Sequence, residues 1–113
     1  MLVIAWTAAN EEEAARLIRG LVEQRLVACG SILGNIRSIY VWEGRMEDTS
    51  EVQCLLKTVP GNEVAILAYI QQHGSYRNPE FLCLPSEWVS PDYQSWAAAH
   101  IKGWSSSNHR EES

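Results

Sequence analysis

The chain carries a small set of side chains whose donor atoms bind soft or borderline metal ions. They are the thiols of Cys29, Cys54 and Cys83, the imidazole of His73 and the carboxylate of Glu80. Thiolate and imidazole donors together favour copper or zinc over magnesium or calcium. No two cysteines form a Cys-x-x-Cys pair, so a shared site requires the fold to bring separate segments together.

Each of these donors also has a purely structural interpretation, and the sequence leaves both open. The cysteines lie in apolar stretches, where a reduced thiol packs as a small hydrophobic group. Their odd number predicts reduced thiols, since three cysteines cannot all pair within one chain. His73 falls near the end of a predicted helix, where an imidazolium stabilises the helix dipole by roughly 0.3–1 kcal/mol.

Two further residues suggest a site for a small ligand. Lys57 lies beside Leu55 and Leu56 in a predicted strand. A cation in such a place faces solvent at the sheet edge, pairs with an acid or binds an anion. Trp42, beside the Glu43-Gly44 turn, either fills an interface or forms a wall on which a ligand stacks.

Composition and missing motifs exclude several classes of function. The sequence has no Gly-x-Ser-x-Gly, His-Glu-x-x-His, glycine-rich phosphate loop or calcium loop, which predicts a protein without catalytic activity. Its 113 residues carry a formal charge of −5, which disfavours nucleic acid as a partner. No apolar run reaches the roughly 18 residues of a membrane span, and the apolar opening lacks the features of a signal peptide. We therefore expect a cytoplasmic protein that does not bind membranes.

The elements that must position these side chains follow from hydropathy and turn residues. Asn10 is suited to cap a helix, with Glu13 completing a capping box. Glu43-Gly44 predicts a tight turn, and Gly30 with Gly34-Asn35 predicts a bent or bulged strand before it. The predicted strands cover residues 2–6, 26–42, 50–58 and 80–85, with 45–49 as loop or hairpin arm. The predicted helices begin at Asn10, near Pro60 and at Pro91.

This order, βαββαβ followed by a C-terminal helix, predicts an α+β, ferredoxin-like split βαβ sandwich. Residues 1–102 form the domain, and we expect residues 103–113 to be a flexible polar tail. The helices cover one face of a four-stranded sheet, yet the long strand places Tyr40 and Trp42 on one side and Ile39 and Val41 on the other. An uncovered apolar face marks an interface, which predicts a closed homo-oligomer.

Several sequence blocks between about Val3 and Ala98 occur in a recognisable order: Leu21-Val-Glu-Gln-Arg-Leu-Val-Ala-Cys29, Ser38-Ile-Tyr-Val-Trp-Glu-Gly44, Ser50-Glu-Val52, Leu56-Lys-Thr58, Pro79-Glu80 and Pro91-Asp-Tyr93 with Trp96. In these blocks and their order the sequence resembles the CutA divalent-cation tolerance family. The resemblance implies a ferredoxin-like subunit in a homotrimer related in architecture to the PII signalling proteins, with clefts between subunits. It also implies binding of divalent cations such as copper.

The resemblance extends to candidate metal ligands. Cys29 matches the family's Ala-Cys block, while His73 and Tyr76 match a His-Pro-Tyr-Glu-x-Pro block with one extra residue between them. We therefore expect a homotrimer that binds copper or another soft divalent ion through Cys29 and His73 and has no organic cofactor.

One departure from the family supports an alternative function. The chain has Arg77 where the family often has Glu, and a cation there repels a divalent metal ion. The alternative is a PII-like sensor that binds a small anion in the intersubunit cleft through Lys57, Arg77, Tyr76 and Trp42. A third interpretation is a scaffold that presents its surface to another protein.

Overall fold

The computed structural model describes residues 1–103 and confirms the predicted order of elements. The strands are β1 (Leu2–Ala8), β2 (Cys29–Trp42), β3 (Arg45–Thr58) and β4 (Phe81–Pro85), and the helices are α1 (Glu11–Glu23), α2 (Glu63–His73) and α3 (Pro91–His100). Apart from Gly103, the predicted tail lies outside the described residues. No helix of the described part is long and apolar enough to cross a membrane.

The four strands form one antiparallel sheet in the order β2-β3-β1-β4, which is the ferredoxin-like arrangement. Alternate residues of β1 and β3, such as Ile4 and Leu56, are fully buried on one face of the sheet. Leu17 of α1 and Ile70 of α2 belong to the same core cluster, so these two helices cover that face. The opposite face, with Leu82 and Leu84 of β4 more than half exposed, is the uncovered apolar face that the sequence predicted.

Asn10 caps the start of α1, but the side chain of Glu13 binds a different segment instead of completing the cap. The Asn10 side chain accepts a hydrogen bond from the backbone N–H of Glu13 at 2.8 Å, which confirms the predicted cap. The expected return bond from the Glu13 carboxylate to the cap does not occur among residues 1–103. Instead that carboxylate accepts hydrogen bonds from the backbone N–H and the hydroxyl of Ser75, at 3.1 and 2.8 Å. The prediction of a full capping box was therefore wrong.

The β2–β3 pair extends well beyond the rest of the sheet. Only residues 52–58 of β3 also pair with β1. We call residues 29–35 with 52–58 the proximal half, and residues 36–51, which pair only with each other, the distal hairpin. The register shifts between Ile32 and Gly34, which confirms the predicted bulge.

The end of the distal hairpin is a two-residue turn. Glu43 and Gly44 both have positive φ, 52° and 77°, between the paired residues Trp42 and Arg45. Two positive φ angles are typical of the type I′ turn, whose twist matches that of the strands. Residues 45–49 are thus a hairpin arm rather than a loop.

The third helix packs at the end of the sheet where β1 begins. Ala97 and Ile101 form a second small core with Ala28 and Val59. The helix is held there by hydrogen bonds to the loop after α1, where Arg25 donates to the carbonyl of Ala99 at 3.2 Å. Pro60 lies in the turn just before α2, which agrees with the predicted helix start near Pro60.

Candidate functional site

A cleft of about 720 Å³ lies between the distal hairpin and the segment that connects α2 to β4. We call it the hairpin cleft. Its main side chains are Tyr40, Trp42, Glu47 and Glu51 from the hairpin and Tyr76, Arg77 and Glu80 from the connecting segment. A volume of this size is typical of sites for small organic ligands.

The connecting segment is anchored to α1 and α2 rather than to the hairpin alone. Ser75 is held by the Glu13 carboxylate, and the Gln71 side chain donates to the carbonyl of Arg77 at 3.2 Å. Arg16 donates to the carbonyl of His73 at 3.1 Å. These bonds come from helices that pack on the core, so one wall of the hairpin cleft is fixed by the body of the domain.

Carboxylates dominate the electrostatics of the hairpin cleft. Glu51 accepts a hydrogen bond from the Ser38 hydroxyl at 2.8 Å. Burial and the hydrogen bond and charge of Glu51 raise the pKa of the Tyr76 phenol, which keeps it a neutral donor. Glu80 accepts from the Gln53 amide at 3.3 Å.

Within residues 1–103, none of the four charged side chains of the cleft takes part in an ion pair. Glu51 and Glu80 accept hydrogen bonds from neutral side chains, whereas the Glu47 carboxylate and the Arg77 guanidinium have no hydrogen-bond partner there. With Glu51 and Glu80, the lining therefore holds three carboxylates and one guanidinium.

The structure gathers three of the four residues predicted to hold an anion. Trp42, Tyr76 and Arg77 all line the hairpin cleft. Lys57 does not line it. Lys57 pairs with Val3 at the start of β1, and its ammonium donates to the Ser31 hydroxyl at 2.9 Å.

The predicted metal ligand Cys29 lies at the beginning of β2 and contacts α3. Its Sγ is 3.5 Å from the hydroxyl oxygen of Tyr93, and the thiol is partly exposed. Burial raises the pKa of Tyr93 to about 12, and the neighbouring Cys29 thiol adds to this rise. The phenol is therefore protonated at neutral pH and can donate to the sulfur.

The second predicted ligand, His73, lies at the other end of the sheet. Its ring stacks on Tyr69 with ring centres 4.4 Å apart. Along the strand direction, Cys29 lies at the same height as Val3, near the start of β1. His73 lies near the other end of β1, because the nearby Ser75 binds Glu13 in the first turn of α1, which follows β1. The length of β1 alone separates these levels by roughly 17 Å.

Among residues 1–103, no three His, Cys, Asp or Glu side chains are grouped so that they could hold a metal ion. Cys54 is fully buried in the core, and this burial raises the pKa of its thiol to about 11. Cys83 is exposed on the edge strand β4, and Glu80 lines the hairpin cleft. The described part of the chain therefore does not by itself provide a three-ligand metal site.

Comparison with known proteins places the chain in a family. Residues 2–100 match a family model described as CutA1 divalent ion tolerance protein. A relative from Pectobacterium atrosepticum, Divalent-cation tolerance protein CutA, is 40% identical over 101 residues, which are 89% of this chain and 92% of the relative. The chain belongs to the CutA1 divalent ion tolerance family. The resemblance inferred from the sequence blocks is thus confirmed.

Solved structures of CutA1 proteins share the fold. The divalent cation tolerance protein (Cut A1) of Thermus thermophilus is 29% identical with a TM-score of 0.85, covering 90% of this chain and 100% of that chain. CutA from Xylella fastidiosa is 31% identical with a TM-score of 0.84, covering 89% and 97%. The ferredoxin-like architecture of this CutA1 family member is therefore the one that its relatives adopt.

Sequence reasoning missed part of the site in this CutA1 chain. Tyr93 was not recognised as the partner of Cys29, because only the fold brings α3 to the start of β2. Glu47 and Glu51 were not recognised as cleft residues. A signal for Glu47 existed, since a two-residue turn at Glu43-Gly44 places Glu47 directly opposite Tyr40.

Proposed function

We propose that the protein is a homotrimeric, non-enzymatic binding protein of the cytoplasm that takes up copper or another soft divalent cation. Membership of the CutA1 divalent ion tolerance family supports the class of ligand. The observation that carries the choice of residue is the partly exposed Cys29 thiol beside the Tyr93 hydroxyl. A thiolate is the soft donor that copper prefers.

The metal site requires donors from more than one subunit. The described residues of a single subunit contain no cluster of three donors, and Cys29 and His73 lie at opposite ends. In a trimer, a second copy can supply the remaining ligands. His73 remains a candidate ligand on this basis, from a neighbouring subunit rather than from the subunit that supplies Cys29.

The exposed apolar surface supports assembly. Ile39 and Val41 of the distal hairpin are 61% and 63% exposed, and Leu82 and Leu84 are exposed on the uncovered face. Surfaces of this kind are buried in stable oligomers. Sedimentation velocity is expected to give a trimer for the native chain. Val41→Asp is expected to weaken association more than tenfold, while Val64→Asp, which charges an exposed residue of α2, leaves it unchanged.

Calorimetric titration of the reduced, metal-free protein with copper and zinc ions tests the metal site. Tight binding with proton release is expected, because Cys29 must lose its proton to bind, and Cys29→Ser is expected to weaken it more than tenfold. Cys83→Ser is the matched control, since Cys83 is also an exposed thiol. Equal affinity of the native protein and Cys29→Ser would exclude Cys29 as a ligand, and a stable monomer would remove the shared site.

A further inference from the structure

The hairpin cleft has a lining that differs from both the metal site and the anion site expected from the sequence. Its volume of about 720 Å³ is far larger than a single ion needs. Its aromatic side chains, Tyr40, Trp42 and Tyr76, come from both walls. We infer that the hairpin cleft binds a small organic cation, with an ammonium group near Glu47 and Glu51 and an apolar body against the aromatic rings.

Charge is the first argument for a cation. Three carboxylates and one guanidinium line the cleft, so its formal charge is negative even with Arg77 fully charged. Glu47 is half-buried, and within residues 1–103 it has neither an ion pair nor a hydrogen-bond partner for its carboxylate. A carboxylate that is partly withdrawn from water favours a cation beside it.

The orientation of the polar groups is the second argument. Glu51 already accepts a hydrogen bond from Ser38 and interacts with the Tyr76 phenol, so neutral donors hold its carboxylate in place. A fixed, charged acceptor binds an ammonium donor without a further loss of side-chain freedom.

The aromatic groups are the third argument, because they distinguish an organic cation from a metal ion. The faces of Trp and Tyr rings attract ammonium groups, with Trp the strongest, and they also bury an apolar body. Trp42 is half exposed on the hairpin, across from the segment that carries Tyr76. An inorganic divalent ion would use the carboxylates but gain nothing from these rings.

Three probes that share one body and differ in charge test this inference. They are tyramine as the cation, 4-ethylphenol as the neutral analogue and 3-(4-hydroxyphenyl)propionate as the anion. Binding to the intact protein is measured by calorimetry at low and at physiological salt. We expect tyramine to bind at least tenfold more tightly than the other two, with an affinity that falls as salt is added.

Variants locate the binding. Glu47→Gln is expected to weaken tyramine binding at least fivefold and to reduce its salt dependence, and Trp42→Leu is expected to weaken it as well. Glu87→Gln, which removes an exposed carboxylate outside the cleft, is the matched control and is expected to leave the affinity within twofold. Because the Glu47 carboxylate makes no hydrogen bond or ion pair within residues 1–103, Glu47→Gln removes no polar side-chain contact there.

Three outcomes would overturn the inference. Binding of the anion more tightly than the cation, with loss in Arg77→Gln, would assign the cleft to anions. Binding of magnesium or zinc ions that Glu47→Gln weakens, without tyramine binding, would assign it to metal ions. No binding of any probe would show that the cleft is not a ligand site, including the case in which a second subunit fills it. The copper titration of Cys29 is independent of all three.

Discussion

The proximal half and the distal hairpin belong to one continuous ladder, but different interactions stabilise them. In the proximal half, β3 pairs on both sides, and Val52, Cys54 and Leu56 are buried beneath the helices. In the distal hairpin, each strand pairs only with the other, and Ile39 and Val41 are exposed. An isolated two-stranded hairpin is marginally stable in water. The distal hairpin therefore depends on its turn and its cross-strand pairs.

The same comparison explains where the candidate sites lie. Cys29 begins the proximal half, close to α3, whereas the hairpin cleft uses the distal hairpin as one wall. The position of Cys29 is fixed by the core of the domain. The hairpin cleft has one wall that is anchored through Glu13 and one wall, the distal hairpin, that has little support of its own. We therefore expect ligand binding or assembly to change the shape of the cleft.

The two regions are expected to differ most in how much the free energy of unfolding falls when one large apolar residue in each is shortened to alanine. Leu56→Ala removes a fully buried side chain and is expected to lower the free energy of unfolding by about 2–5 kcal/mol. Ile39→Ala shortens an exposed side chain and is expected to change it by less than about 0.5 kcal/mol in the dissociated subunit. Urea unfolding at several protein concentrations measures both.

The concentration dependence provides the control for this pair. If assembly buries the distal hairpin, the effect of Ile39→Ala grows at concentrations where the protein is assembled. A loss in the dissociated subunit as large as that of Leu56→Ala would contradict the comparison, because it would mean that the distal hairpin has a core of its own.

The predictable parts of the molecule are those that local sequence determines. Asn10 caps α1, Glu43-Gly44 forms the turn, and the bulge lies beside Gly34, because each depends on neighbouring residues. Helix periodicity and strand alternation were sufficient for the order of the elements. The start of α2 near Pro60 was also predicted, although Pro60 itself lies in the preceding turn, since proline suits both a turn and a first helical turn.

The parts that could not be predicted depend on contacts between distant segments. Glu13 binds Ser75 rather than its own helix end, and Cys29 meets Tyr93 only because α3 packs against the start of β2. Lys57 was grouped with Arg77 by charge, but strand register places it opposite Cys29, away from the cleft. Register follows from the whole pairing of β2 with β3, including the bulge, which no single motif specifies.

A smaller effect is expected from the turn that closes the distal hairpin. Gly44 has a φ of 77°, so Gly44→Ala is expected to destabilise the hairpin by about 1 kcal/mol. Hydrogen exchange should become faster in residues 36–51 and remain unchanged in residues 52–58, because the proximal half has the helices and β1 for support. Gly44→Asn is the control, since Asn tolerates positive φ. Equal acceleration in both regions would show that the ladder opens as one unit.

The smallest effect is expected from the ion pair of the distal hairpin. Arg37 donates two hydrogen bonds to Asp48, at 2.8 and 2.6 Å, and holds the pKa of that carboxyl below its ordinary value. Because its pKa is lower in the folded state, the Asp48 carboxyl stabilises the folded state at pH values above its ordinary pKa. This contribution is lost as the pH falls through the lowered pKa. Both side chains are exposed, so the contribution is small and weakened by salt.

Urea unfolding of the native chain and of Asp48→Asn, at neutral pH and near pH 3, measures this contribution. We expect the native chain to have the higher free energy of unfolding at neutral pH and low salt. The difference should shrink in acid, because acid removes the charge of Asp48 in the native chain, whereas the amide of the variant has no charge to lose. Arg37→Gln provides the second arm of a double-mutant cycle. If Asp48→Asn has the same effect in the Arg37→Gln background, the stabilisation comes from Asp48 alone, and the distal hairpin then relies on its turn more than on cross-strand charge.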